Sequence, residues 1–237
     1  MEIFNNIEMV GKALWIRKYA TLIIADLHIG YEEMLNEKGI LVPRTQFREM
    51  KKELEELLEY TRPRRIVING DLKHEFGKIS SQEWRETNEI LDLLLSYAKV
   101  ILVKGNHDTI LQPIAEKRGL EIMQFYHVKE VCIMHGDKII SNLETNKAKV
   151  LIIGHEHPAI TLTEEFKKEK YKCFLVGKYK EQKLIVMPSF FSLVEGTDIN
   201  QEKLLSPYLH QDIDNFDVFI VGDQVYKFGK LKKIRSL

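Results

Sequence analysis

Cysteine is nearly missing from this chain, with Cys132 and Cys173 the two examples in 237 residues. Two thiols without C-x-x-C spacing exclude a disulfide framework, and the apolar neighbours of both make them core fillers. A reducing, cytoplasmic location is the expectation that matches. No apolar run approaches the roughly 18 residues of a membrane span, so no membrane association is expected. The N-terminus, Met1-Glu2-Ile3-Phe4-Asn5-Asn6, lacks a basic region followed by an apolar stretch and reads as no signal peptide. Neither charge sign dominates, with 35 Lys+Arg against 35 Asp+Glu. Bulk charge therefore does not advertise a nucleic-acid binder, although a local patch would suffice for one. Internal repeats and low-complexity segments are also missing.

What is present is a globular composition, 44% hydrophobic and 30% charged. A chain of this length can bury one substantial core, so a single domain over residues 1–237 is expected. Short β-branched runs recur: Leu22–Ala25, Ile66–Ile68, Val100–Val103, Val131–Met134, Val150–Ile153, Leu184–Met187 and Val218–Val221. They do not alternate with polar residues, which fits strands covered on both faces. Phe47, Met50, Leu54, Leu57 and Leu58 share one helical face, and Arg62-Pro63 ends that helix. Ser80-Ser81-Gln82-Glu83 reads as a capping box, followed by Trp84, Leu91, Leu94 and Leu95 at helical spacing. A further helix is expected from about Thr109 to Arg118, stopping at Gly119. From about Met123 strands dominate, and charge-rich Glu164 to Lys172 reads as a hairpin end. Pro188 to Asn215 shows no periodicity and reads as either a lid or disorder. The layout implies an α/β sandwich, two central sheets with helices outside.

Chemistry-bearing residues follow the apolar runs. The first five runs are succeeded by Asp26-Leu27-His28, Asn69-Gly70-Asp71, Gly105-Asn106-His107-Asp108, His135-Gly136-Asp137 and Gly154-His155-Glu156-His157. Ligands of α/β folds gather at the carboxyl ends of strands. Asp, His and the Asn carbonyl all bind divalent cations, and glycine beside them permits sharp turns and close approach. Asp-x-His alone would be weak evidence; five such elements in order make chance hard to defend.

Asp26-x-His28, Gly70-Asp71, Gly105-Asn106-His107-Asp108, His135 and Gly154-His155-x-His157 resemble the ordered motifs of calcineurin-like metallophosphoesterases. The resemblance runs from about residue 20 to 190. It implies a four-layer αββα fold and a dinuclear centre. Gly70-Asp71-Leu72-Lys73-His74-Glu75-Phe76, Met187-Pro188-Ser189-Phe190 and Ser206-Pro207 resemble one branch, the DNA-ligase-associated phosphoesterases and their archaeal relatives, described as related to the SbcD nuclease. The resemblance implies that Asp26, His28 and His157 bind one metal, that Asn106, His135 and His155 bind the other, and that Asp71 bridges them. His107 would face the scissile phosphate and protonate the leaving group, its ring oriented by Asp108, while Asn106 and His74 would help bind substrate. Many family members carry an acidic residue where this chain has His74.

The expected reaction is phosphodiester hydrolysis by a hydroxide held between two divalent metals, Mn first, with Fe, Ni, Co or Zn as alternatives to oxygen-preferring Mg. The branch resemblance implies single-stranded DNA as substrate in DNA repair, with a helicase or ligase as partner. A small-molecule phosphatase or cyclic-nucleotide phosphodiesterase is the alternative, and a catalytically dead binding module a third. Several residues carry two readings. His74 either contacts substrate or caps a turn. Asp137 reads as a turn residue, and Glu156 points away from the site. His127 and His210 lack any motif. The runs Arg62–Arg65 and Lys230–Arg235 are either phosphate contacts or solvated faces. Phe190 and Phe191 either stack on a base or fill the core.

Overall fold

The computed structural model describes residues 1–4, 6–42, 45–74, 80–141, 147–164 and 167–235. Glu75 and Phe76 of the branch motif, and residues 165–166 of the charged stretch, lie outside them. The first half contains β1 (Glu2–Phe4), β2 (Ile7–Val10), β3 (Ala13–Ile16), β4 (Thr21–Ile24), α1 (Tyr31–Glu37), α2 (Gln46–Thr61), β5 (Arg65–Asn69), α3 (Ser81–Tyr97), β6 (Lys99–Val103), α4 (Gln112–Glu116) and β7 (Ile122–Met123). The second half contains β8 (Phe125–Val128), β9 (Val131–Met134), β10 (Val150–Ile153), β11 (Pro158–Glu164), β12 (Lys167–Tyr179), β13 (Gln182–Val186), β14 (Thr197–Asp198), β15 (Asp217–Val221), β16 (Val225–Lys230) and α5 (Leu231–Ile234).

Two sheets result. The first follows chain order from β1 to β7; the second runs β14-β11-β12-β13-β10-β9-β8, with β15 and β16 added beside β12. At the middle of the first sheet β4, β5 and β6 are parallel. At the middle of the second β9, β10 and β13 are parallel. Period-two alternation of side chains explains why the strands read as continuous apolar runs. Leu22, Ile24, Ile66, Ile68, Val100 and Leu102 face α2 and α3, packing on Met50, Leu54, Ile90, Leu91 and Leu94. Their neighbours Ile23, Val67, Ile101 and Val103 face the other sheet, against Ile133, Ile152 and Ile185. Cys132, Leu151, Leu184 and Val186 point outward from the second sheet. The four-layer sandwich is therefore present. Its fourth layer is thin: Tyr208, Leu209, Ile213, Phe216, Leu231 and Ile234 cover that face from a 3-10 turn, irregular chain and one short helix.

The segment 188–215 is thus largely a structural cover, pinned where Glu156 accepts the backbone N–H groups of Leu205 and Ser206 at 2.8 and 2.7 Å. Half of the expected capping box forms. Ser80 accepts the Glu83 N–H at 2.9 Å, whereas the Glu83 carboxylate accepts the N–H of His74 at 3.0 Å, linking α3 to a motif loop. The helix expected over 109–118 is shorter, because Pro113 suits only its first turn. Both cysteines are free and buried. Phe190 and Phe191 are core residues, 1% and 3% exposed. Arg65 opens β5 at the end away from Asp71; Lys230 and Arg235 pair with Asp217 and Asp214. Among the described residues no helix is long and apolar enough to cross a membrane.

Candidate metal centre

The parallel strands β4, β5, β6, β9 and β10 end together, and the turns leaving them carry the motif residues. Among the described residues, atoms able to ligate a metal converge in three overlapping groups: Asp26, His28, Asp71 and His157; Asp71, His135 and His155; and His28, His74 and His107. Six of the eight histidines thus meet at one end of the sandwich, while His127 and His210 lie elsewhere. Asn106 joins the second group, its Oδ1 2.9 Å from His135 Nε2.

Asp71 sits between the groups. Its Oδ2 lies 3.4 Å from His135 Nε2 and 3.9 Å from the Nε2 atoms of His28 and His107. Its Oδ1 accepts the backbone N–H of His107 at 2.9 Å. Asp26 is 3.4 Å from His157 Nε2 and accepts the His155 N–H at 3.1 Å. The Nε2 atoms of His28 and His157 face one another at 3.3 Å. Two imidazole nitrogens each about 2.0–2.1 Å from one tetrahedral cation would be spaced by about that distance. The donor set, nitrogen-rich with a shared carboxylate, fits two divalent cations.

The backbone carries its share of the cost. Asp26, His28, Asp71, His155 and His157 all have positive φ, between 43° and 64°. Non-glycine residues adopt that region at a cost of about 1–2 kcal/mol each, and such strain collects at functional sites. Cross-links hold the turns: Asp26 N–H to Gly70 O at 3.2 Å, His28 N–H to Asp71 O at 2.9 Å and Phe190 N–H to Ala25 O at 2.9 Å. Ser189 Oγ donates to Asp26 O at 2.8 Å. Half-buried Lys172 donates to the carbonyls of Ser189 and Phe191; desolvation, then the nearby Lys12 charge, bring its pKa down to about 7. Sequence reasoning missed Ser189 and Lys172 as supports. The one signal was the Met187-Pro188-Ser189-Phe190 run following a strand.

Asp108 departs from expectation. Its carboxylate does not orient the His107 ring but accepts the N–H groups of Gly105, Leu72 and Lys73 at 2.9, 3.1 and 3.5 Å. It is 2% exposed, and burial and the Asp71 charge raise its pKa to about 6. It therefore braces the turn of Asp71 against the turn of Asn106. His107 instead turns its Nδ1 to the carbonyl of His74. His74 stacks on the His107 ring at 5.1 Å and brings its Nδ1 to 3.4 Å from His28 Nδ1.

Electrostatics of the metal-free protein follow from crowding. Burial first, then the charge of His107 or His135, brings His74 and His155 down to about 4. Burial and His157 hold His28 well below its ordinary value. For His135 burial is outweighed by the hydrogen bond and charge of Asp71, raising it to about 9. Burial disfavours the Asp71 charge, but His135 and the other imidazoles hold its pKa well below the carboxylate range. Between pH 6.5 and about 4 the unfolded chain takes up protons that folded His74 and His155 refuse. Stability then falls as pH falls through that window. His135 acts oppositely, its contribution complete below pH 6.5 and lost as pH rises through about 9. Asp108 and Glu86, raised mainly by burial to about 6 and about 7, oppose the acid loss by taking up protons in the folded chain. The three lowered imidazoles His28, His74 and His155 outnumber them, so melting temperatures in EDTA are expected to peak near neutrality and drop toward pH 4. A flat acid limb would contradict this balance.

The sequence matches the calcineurin-like phosphoesterase family over residues 19–159, more than half of the chain. The chain belongs to the calcineurin-like phosphoesterase family. It is accordingly a metal-dependent hydrolase, and the histidine and aspartate groups above are able to hold the divalent metals usual in that family. Among solved structures, the nuclease MPE of Pseudomonas putida is 18% identical, with 92% of each chain covered and a TM-score of 0.67. YfcE, a phosphoesterase from E. coli, is 15% identical over 86% of this chain and 95% of its own, with a TM-score of 0.42. No match was found among curated proteins. The MPE likeness is one of fold.

Proposed function

We propose that this phosphoesterase, acting as a single domain, hydrolyses phosphodiester bonds in single-stranded nucleic acid. The observation that carries the reading is Asp71, whose carboxylate belongs to two of the three metal-capable groups while its neighbouring loop presents His107. Asp26, His28, His157 and Asp71 would hold one cation, and Asp71, Asn106, His135 and His155 the other. Two bound divalent cations would supply Lewis-acid polarisation of the phosphoryl oxygens and an acidified water; manganese is the first expectation. The DNA-ligase-associated branch, a DNA-repair role with a helicase or ligase partner, and a cytoplasmic location belong to the same proposal. Support for them comes from the branch motifs and from a fold shared with a nuclease.

The chain's own residues divide the work. The His74 carbonyl keeps the proton of His107 on Nδ1 and turns Nε2 toward Asp71. From there a protonated Nε2 donates to a phosphoryl oxygen and passes its proton to the departing alkoxide. His74 steadies the rings of both His28 and His107, and with Asn106 it lines the phosphate-facing wall. Asp108 acts as a positioning residue through three backbone N–H groups. The test is His107→Ala. Metal content stays at the wild-type level while kcat on a thymidine dinucleotide, whose departing alkoxide needs the proton, falls by about 10²–10⁴. An unchanged kcat would remove His107 from the reaction. A nucleotide-sized diester is the second reading, supported by the equal charge counts of 35 and 35. Cleavage of small esters but never of an oligonucleotide would select it.

A further inference from the structure

Tyr31 opens α1 three residues after His28, and its N–H is bonded to the His28 carbonyl at 3.1 Å. The strand end that places the ligand therefore also places this ring. Tyr31 meets His74 edge-on with centroids 4.6 Å apart and leans on Phe191 at 6.4 Å. It also lines a cleft of about 420 Å³ with His157, Lys170, Leu193, Val194 and Glu195. The cleft and the candidate metal centre share His157. Its size is within the range of small-ligand sites, about 300–1,000 Å³.

The charges of the cleft say which part of a substrate it takes. Lys170 is held 3.0 Å from Glu202, and acidic Glu195 lines the same cleft. A second phosphate would find no uncompensated cation there. The surface that the cleft exposes is mostly polar, with the Tyr31 ring and the aliphatic Leu193 and Val194, packed on the core beneath, as its apolar part. A flat, neutral ring with hydrogen-bonding edges matches such walls. We propose that this cleft is the subsite for the nucleoside adjoining the scissile phosphate, and that its base stacks on Tyr31. The proposal rests on the phosphodiesterase reading above. It makes Tyr31 the residue that distinguishes a nucleic-acid diester from a simple phosphate ester.

Two measurements test it. Metal-loaded enzyme is given thymidine 5′-(p-nitrophenyl phosphate), thymidine 3′-(p-nitrophenyl phosphate) and methyl p-nitrophenyl phosphate. A stacked base is expected to favour one nucleoside ester over the methyl ester by about ten- to a hundredfold in kcat/KM. Tyr31→Ala brings that ratio close to one, and Tyr31→Phe keeps it. Because the readout is a ratio within one preparation, partial misfolding of a variant does not mimic the result. Metal-free protein is then titrated by fluorescence anisotropy against labelled oligothymidylate and an abasic oligomer of equal length. Wild type and Tyr31→Phe bind the thymidylate more tightly, whereas Tyr31→Ala binds both alike. A nucleoside preference surviving in Tyr31→Ala, or absent from wild type in both measurements, would overturn the subsite and leave the diesterase reading standing. A wild type that hydrolyses none of the esters would overturn that reading and the subsite with it.

Discussion

Asp71→Asn is expected to lower turnover by at least about a thousandfold and to abolish the rise in melting temperature that divalent metal gives the wild type. The substitution keeps the shape of the side chain and its Oδ1, so the 2.9 Å hydrogen bond from the His107 N–H survives. What disappears is the negative charge shared by two of the three metal-capable groups. Metal catalysis contributes several kcal/mol of charge stabilisation, and each ~1.4 kcal/mol lost is about tenfold in rate. Saturating metal at about a hundred times its Kd stabilises a folded chain by about 2.7 kcal/mol; the variant should lose that increment. Without metal, Asp71→Asn removes the partner that holds His135 protonated up to about pH 9. A near-normal rate, or an undiminished thermal shift with Mn, would mean that Asp71 does not bridge.

Gly70→Ala is expected to be nearly as damaging although it changes no ligand. A Cβ built there would stand 2.1 Å from His135 Nδ1 and 2.6 Å from its Cγ, and φ is +82°. Overpacking costs about 1–3 kcal/mol and the left-handed backbone about 1–2 kcal/mol more. The ring of His135 must move, and with it the second metal group. We expect a stability loss of about 2–5 kcal/mol in urea melts and more than a hundredfold loss of activity. Gly119→Ala is the control: φ there is +63° but nothing lies within 4 Å of the added Cβ. It isolates backbone strain, about 1–2 kcal/mol, without loss of activity. Equal activity in Gly70→Ala and Gly119→Ala would show that close approach at Gly70 is unrelated to the site.

These contrasts show which parts of the site a linear sequence carries. Candidate ligand types were legible because each motif follows a β-branched run, and strand order brings Asp26, His28, Asp71, Asn106, His135, His155 and His157 to one end. Doubly buried strands were legible for the same reason, since Leu22 and Ile23 are both apolar yet serve different cores. The role of Asp108 was not legible, because its three N–H partners include residues 35 and 36 positions away. Nor was the support from Lys172, which acts through carbonyl oxygens that no side-chain pattern reports. Positive φ at five of these candidate positions was equally hidden. Asp and His at these places signal chemistry, and glycine would have been the conformationally easy choice. The thin fourth layer escaped notice because Tyr208 and Leu209 bury themselves from a single 3-10 turn and Ile213 from irregular chain, which leaves no period to read.

The most direct test is anomalous scattering from crystals of the protein soaked in manganese. Two peaks per chain are predicted, one among Asp26, His28, Asp71 and His157, the other among Asp71, Asn106, His135 and His155, with Asp71 contacting both. A single peak, no peak, or cations bound away from Asp71 would contradict the account.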